Sequence, residues 1–293
     1  MDSEHRLWVY RRGHVPESTT PKKAANRPDF YGLVNATLEP QAAERALAEA
    51  ECKIAPTVKK IANIAFQPSL DQKCDLLMFA ALSFVRVPAY LDYVTTNLGK
   101  WAKDTVISSA NDREKFKASW ERFRQSHGSN EDPEAIRNQI LEGNYNIKPR
   151  NRDLTITLMF TSMQRIAEIL SDGFECEIWH APPDKVFVTS DNPVVTLRPA
   201  KGRSATAGVG FGHADTEIVM PLNKRVCLHA SRAVKWGRRT ISARHCDQIN
   251  CLVMAAASEV SFGSIGTRRQ GRLFDQFGCR LEYGKNSFLP KKH

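Results

Sequence analysis

The chain has 293 residues, 42% hydrophobic and 25% charged, with a net charge of +10. That is long enough to bury a full core and ordinary in composition for a globular protein. No run of about 18 apolar residues occurs, which argues against a membrane-spanning helix and a membrane partner, and the opening MDSEHRLWVYRRGH lacks the apolar centre of an export signal. The seven cysteines are odd in number and scattered, with no Cys-x-x-Cys pair, so they point to reduced thiols in a cytoplasm.

Taken in order, residues 5–12 (HRLWVYRR) predict a short strand, followed by a Pro-, Thr- and Asn-rich irregular loop to Gly32. Ala-rich spacing predicts a helix over about 40–64. A second helix begins after Ser69, where Ser69 and Gln72 fit a capping box, and runs on through residue 98 with a kink at Pro88. Residues 111–142 are charge-dense, and Phe116, Trp120 and Phe123 stand at helical spacing as a core-facing stripe on a solvated helix. Met159, Met163, Ile166 and Leu170 mark one face of a helix over about 151–171; such spacing indicates packing.

After Gly173 the period changes to that of strands. FECEIWH alternates, KVFVTS and VVTL are β-branched, and TEIVMPL and RVCLHAS read as two strands about a short turn. A last helix is expected over 242–260. Gly208, Gly210 and Gly212 lack a following Gly-Lys-Ser/Thr, so they read as a hairpin insertion and not a phosphate cradle. Helices followed by strands predict one α+β domain over 1–293: a mainly helical part (1–172), a mixed or antiparallel sheet with a covering C-terminal helix (173–265), and a basic C-terminal segment (266–293).

The charge is unevenly spread. Residues 1–197 carry 25 Lys+Arg against 26 Asp+Glu, a net of −1; residues 198–293 carry 17 against 6, a net of +11. Such asymmetry is the footprint of a surface facing a polyanion, so nucleic acid is the candidate partner, with Arg198, Lys201, Arg203, Arg238 and Arg239 as candidate phosphate contacts. The run KWGRRTISAR, however, lacks the aromatic interleaving of a single-strand platform.

The corner Ser190-Asp191-Asn192-Pro193 separates two strand-like runs. A side-chain turn from Asp191 would need the N–H of residue 193, which proline does not have, whereas Asn192 can reach the N–H of Val194. The Asp191 carboxylate is therefore free to accept other backbone N–H groups, to pair with a basic residue, or to serve a ligand or catalysis. Arg86 is the expected partner, because it shares a helical face with Phe79, Leu82 and Tyr90 and a buried guanidinium needs an anion or carbonyls. Asp191, Asn192, Asn250 and Arg86 form the candidate catalytic set. Asp191 with Asp247 is the candidate oxygen-ligand pair for a divalent cation such as Mg²⁺.

Several of these segments, in this order, resemble the bacterial domain of unknown function 4238 family. The likeness rests on LWVYRRG, DFYG, FAALSFVRVPAY, FVTSDNPVV, IVMPLNKRVCLHAS and a later helix with Asn250, over about residues 6–265. Members usually begin with a His-Tyr-Val-Pro strand before the LWVY segment, and this sequence starts past it; the GHVP at 13–16 follows the strand. The resemblance implies no defined activity. It permits a role in phage defence acting on nucleic acid. With Asp191 and Asp247 as acids the chain would be a metal-dependent nuclease; the alternative is a non-catalytic binding or scaffold protein whose corner is structural.

Overall fold

A computed structural model describes residues 6–264 except 12, 26–29, 35–38, 199–205 and 208–209; of residues 22, 25, 206 and 207 it describes the backbone alone. The expected α+β class holds, with a largely helical first half and the sheets mostly later.

The helical part is α1 (Pro21–Ala25), α2 (Ala42–Lys60), α3 (Leu70–Val85), α4 (Pro88–Asn111), α5 (Arg113–His127), α6 (Pro133–Glu142) and α7 (Asp153–Ser171). The capping box forms at the start of α3: the Gln72 N–H donates to Ser69 Oγ at 3.3 Å, and the Ser69 N–H donates to Gln72 Oε1 at 2.9 Å. The expected single kinked helix is instead two. Val87 is extended (ψ 147°), Pro88 opens α4 as its first residue, and the two axes bend by 61°. Proline both lacks an N–H for the α3 ladder and drives the residue before it out of the helical region. No single described helix is long and apolar enough to cross a membrane.

The strands form two sheets where one was expected. In the larger, β6 (Thr206–Ala207), β5 (Val195–Arg198), β7 (Glu217–Asn223), β8 (Val226–Ser231), β3 (Glu175–His180) and β9 (Gly237–Thr240) lie side by side in that order. All its pairings are antiparallel except β3 with β9, so this sheet is mixed. The smaller sheet is antiparallel, in the order β2 (Glu17–Thr19), β1 (Leu7–Arg11), β10 (Val260–Gly263), β4 (Thr189–Ser190).

Period-2 alternation splits the large sheet between two cores. Ile178, Ile218, Met220, Leu228 and Ala230 face the helices, packing with Leu76, Leu82, Met159 and Leu170. Trp179, Val219 and Cys227 face the other way, against Ile249, Val253 and Met254 of α8 (Ala243–Ala256). Strand β8 is buried at every position because both its faces are covered.

Three local expectations change. The last helix stops at Ala256, and Val260 opens β10. The segment before the corner is strand only at Thr189–Ser190, since side chains elsewhere take up the preceding backbone. Glu17–Thr19, read as loop, pair with β1.

Candidate functional site

The corner 190–193 joins β4 to β5 beside the link between α8 and β10. Ser190 Oγ closes the turn on itself, accepting the Asn192 N–H at 3.2 Å and donating to the Asn192 carbonyl at 2.8 Å. Asn192 is 6% exposed, and its Nδ2 donates to the Ala256 carbonyl at the end of α8, 3.0 Å away.

Asp191 accepts from the backbone of the strand entering next to it. Oδ1 takes the Ser258 N–H at 2.8 Å, and Oδ2 takes those of Glu259 at 2.8 Å and Val260 at 3.3 Å. In return its own N–H donates to the Val260 carbonyl at 3.0 Å. Burial raises the Asp191 carboxyl above its ordinary 3.8, and the three N–H groups pull the other way. Of the three fates open to this carboxylate, the backbone one is realised.

Asn250 does the same for the segment before the corner. Its Oδ1 accepts the Val188 N–H at 3.0 Å and its Nδ2 donates to the Val186 carbonyl at 2.8 Å, which takes the place of a strand partner. Asn192 and Asn250 therefore tie both arms of the corner to α8.

The expected Arg86–Asp191 ion pair is not formed. Arg86 ends α3 and pairs with Glu51 of α2, and its carbonyl accepts the Tyr31 hydroxyl. Burial pushes the Arg86 guanidinium below its usual range and the Tyr31 hydroxyl up to about 12. Asp191 and Asp247 do not meet as a cation pair either. Both Asp247 oxygens accept from Lys185 Nζ, at 2.9 and 2.7 Å. Among the described residues no group of three or more His, Cys, Asp or Glu is placed to hold a metal ion.

The candidate phosphate contacts are engaged within the fold wherever they are described. Arg198 pairs with Asp215 at 2.5 Å. Arg238 donates to the carbonyls of Ile61 (3.0 Å) and Phe66 (2.5 Å), fastening β9 to the turn after α2. Arg239 pairs with Glu177 at 2.9 Å and lies over the Trp179 ring. Lys201, Arg203 and the basic segment 266–293 lie outside the described residues.

Arg86 and Asp191 nevertheless belong to one cleft, of about 540 Å³, between α2, the α3–α4 bend and the small sheet. Its charged lining is Arg11, Arg86, Glu44, Glu51, Asp191 and Glu259, four carboxyl groups to two guanidinium groups. Tyr31, Leu47, Val87 and Phe262 supply apolar surface. Such a mixture fits a small organic molecule with a charged end.

A second polar cluster went unread in the sequence. His229, 4% exposed, sits between two glutamates on neighbouring strands: Nε2 lies 3.2 Å from Glu217 Oε2. Its Nδ1 lies 3.5 Å from Glu177 Oε2, without hydrogen-bond geometry. Trp179 stacks on the imidazole at 4.1 Å and donates its indole N–H to Glu177 at 2.6 Å. The signal was present as alternation, since 177 and 179 on β3 and 229 on β8 share the α8 face. Only the register Glu177↔His229 makes them a group. The cluster ties β3, β7 and β8 together where α8 begins.

Residues 1–264 match the family described as Protein of unknown function (DUF4238). No curated protein and no solved structure matches the chain.

Proposed function

The chain belongs to the DUF4238 family, and we propose that it is a non-catalytic binding protein that takes a small organic cation into the cleft beside the corner. One observation carries this reading: a cleft of about 540 Å³ whose lining holds an excess of carboxyl groups, on a chain that is otherwise basic. A cationic end is attracted to Glu44 and Glu259, and an apolar body fits against Leu47, Val87 and Phe262. Arg86 fixes the wall by pairing with Glu51, and the corner is architecture, because the Asp191 carboxylate and the amides of Asn192 and of Asn250 on α8 are occupied by backbone groups. The test is a thermal-shift titration with 1,4-diaminobutane, using inorganic phosphate as the control of opposite charge. Stabilisation by the diamine in the wild type and its loss in Glu44→Gln supports the reading; stabilisation by phosphate alone overturns it.

A second reading, contact with nucleic acid, is favoured by the +11 net charge of residues 198–293. Its catalytic form, a Mg²⁺-dependent nuclease in phage defence, would require Asp191 and Asp247 to leave their present partners and meet at one cation. The binding form has no such requirement.

A further inference from the structure

We propose that the C-terminal end of α5 is a stacking platform for single-stranded nucleic acid; this rests on the second reading above and gives it a surface apart from the basic residues 198–293. Phe116, Trp120, Phe123 and His127 form one column of rings along the helix. Their successive centroids are 6.2, 5.4 and 4.5 Å apart, with interplanar angles of 19°, 33° and 14°.

The column changes character along its length. Phe116 is buried at 8% exposure, which anchors the base of the column in the helical layer, while Phe123 is 44% exposed and His127 is exposed. The expectation of a wholly core-facing stripe thus holds at one end only. The last ring is also held in place: His127 Nδ1 lies 2.7 Å from Ser126 Oγ and 3.3 Å from the Phe123 carbonyl. Gly128, at φ 69°, ends the helix and the column together.

Charge completes the fit to a polyanion. At about 100° per residue the four rings fall within about 60° of one another on the helix. Arg113, Lys117 and Arg124 lie along one side of that stripe and Lys115 and Arg122 along the other, while Glu114 and Glu121 lie on the opposite side of the helix. Arg113, Lys115 and Arg124 make exposed ion pairs, with Glu134, Asp112 and Glu121. Such pairs are weak in water and screened, so a phosphate can replace the carboxylate. A π-face flanked by cations is what unpaired bases require, and every base has such a face, so the site reads single strands with little sequence preference. A duplex keeps its bases stacked on one another and cannot use the ring column.

The test uses the full chain and fluorescein-labelled oligo(dT) and oligo(U) of about 12 nucleotides, within the usual span of single-strand binders. Anisotropy is read at two salt concentrations, with a blunt duplex alongside. Wild type is expected to bind the single strands in preference to the duplex, more weakly at high salt. Phe123→Ala and His127→Ala are each expected to lose at least about fivefold in affinity with unchanged circular dichroism. Arg122→Gln/Arg124→Gln is expected to weaken binding and to flatten the salt dependence. Two ring variants guard against one that fails to fold. If wild type binds but none of these variants differs from it, the platform is wrong and the nucleic-acid reading stands on another surface. If wild type binds neither single strands nor duplex, both fall. If Phe123→Ala instead dissociates a dimer, the face belongs to a second copy of the chain and the proposal is overturned.

Discussion

Replacing Asp191 by alanine separates a clamp from a site. The substitution removes the acceptor for three backbone N–H groups, two at 2.8 Å and one at 3.3 Å. A hydrogen bond to a charged group contributes about 1.5–3 kcal/mol, and a donor left buried without a partner costs a similar amount. Two corrections reduce the sum. Ser258 and Glu259 are exposed, so water can take up their freed N–H groups, whereas Val260 is only 8% exposed. Burying the charge also opposes folding, as the raised carboxyl pKa records. A net loss of about 2–3 kcal/mol remains, which for a chain of this size corresponds to roughly 3–5 °C in melting temperature. Thermal denaturation by circular dichroism, with a urea titration beside it, measures the loss. A melting temperature within about 2 °C of wild type would refute the clamp. Lost ligand binding at unchanged stability would make Asp191 a binding residue. The pH dependence has a defined sign. The native carboxyl holds its proton above the ordinary 3.8 at which the unfolded chain releases it. Its contribution is therefore full below 3.8 and falls as pH rises through the native value. Relative to Asp191→Asn, wild type should lose stability over that window; a relative gain would show that the N–H groups outweigh burial.

Asn250→Ala leaves the Val188 N–H and the Val186 carbonyl without their buried partner, so a loss of about 2–4 kcal/mol is expected in urea denaturation. Gly99→Ala would set a Cβ 2.3 Å from the Ile147 carbonyl oxygen, forcing the 147 segment off α4, and should lower stability by about 1–3 kcal/mol. Thiol labelling should discriminate by burial. Cys176 and Cys246 are pushed up to about 12 and about 11 by burial and Cys227 is raised still further, while Cys52 and Cys74 are exposed. Mass spectrometry after brief alkylation of the native chain should find Cys52 and Cys74 modified before Cys176, Cys227 and Cys246, and early modification of Cys227 would refute its burial.

Local and periodic features were legible in the sequence. The Ser69 capping box, the Met159–Leu170 face and the strands at TEIVMPL and RVCLHAS are set by spacings within one element, and each appears where its pattern puts it. The corner was legible as far as the missing N–H of Pro193, which frees Asp191 from the nearest turn. Which distant group it would meet depended on pairings that sequence does not display. Strand β10 brings residues 258–260 to Asp191, and α2 brings Glu51 to Arg86, so the expected partners are exchanged. The same holds for His229, whose two glutamates come from other strands, and for Arg238, which spends its charge on carbonyls some 170 residues away. A side chain's own period fixes the face it occupies. What stands opposite is fixed by the packing of whole elements, where long cations and carboxylates take the nearest partner that burial leaves them.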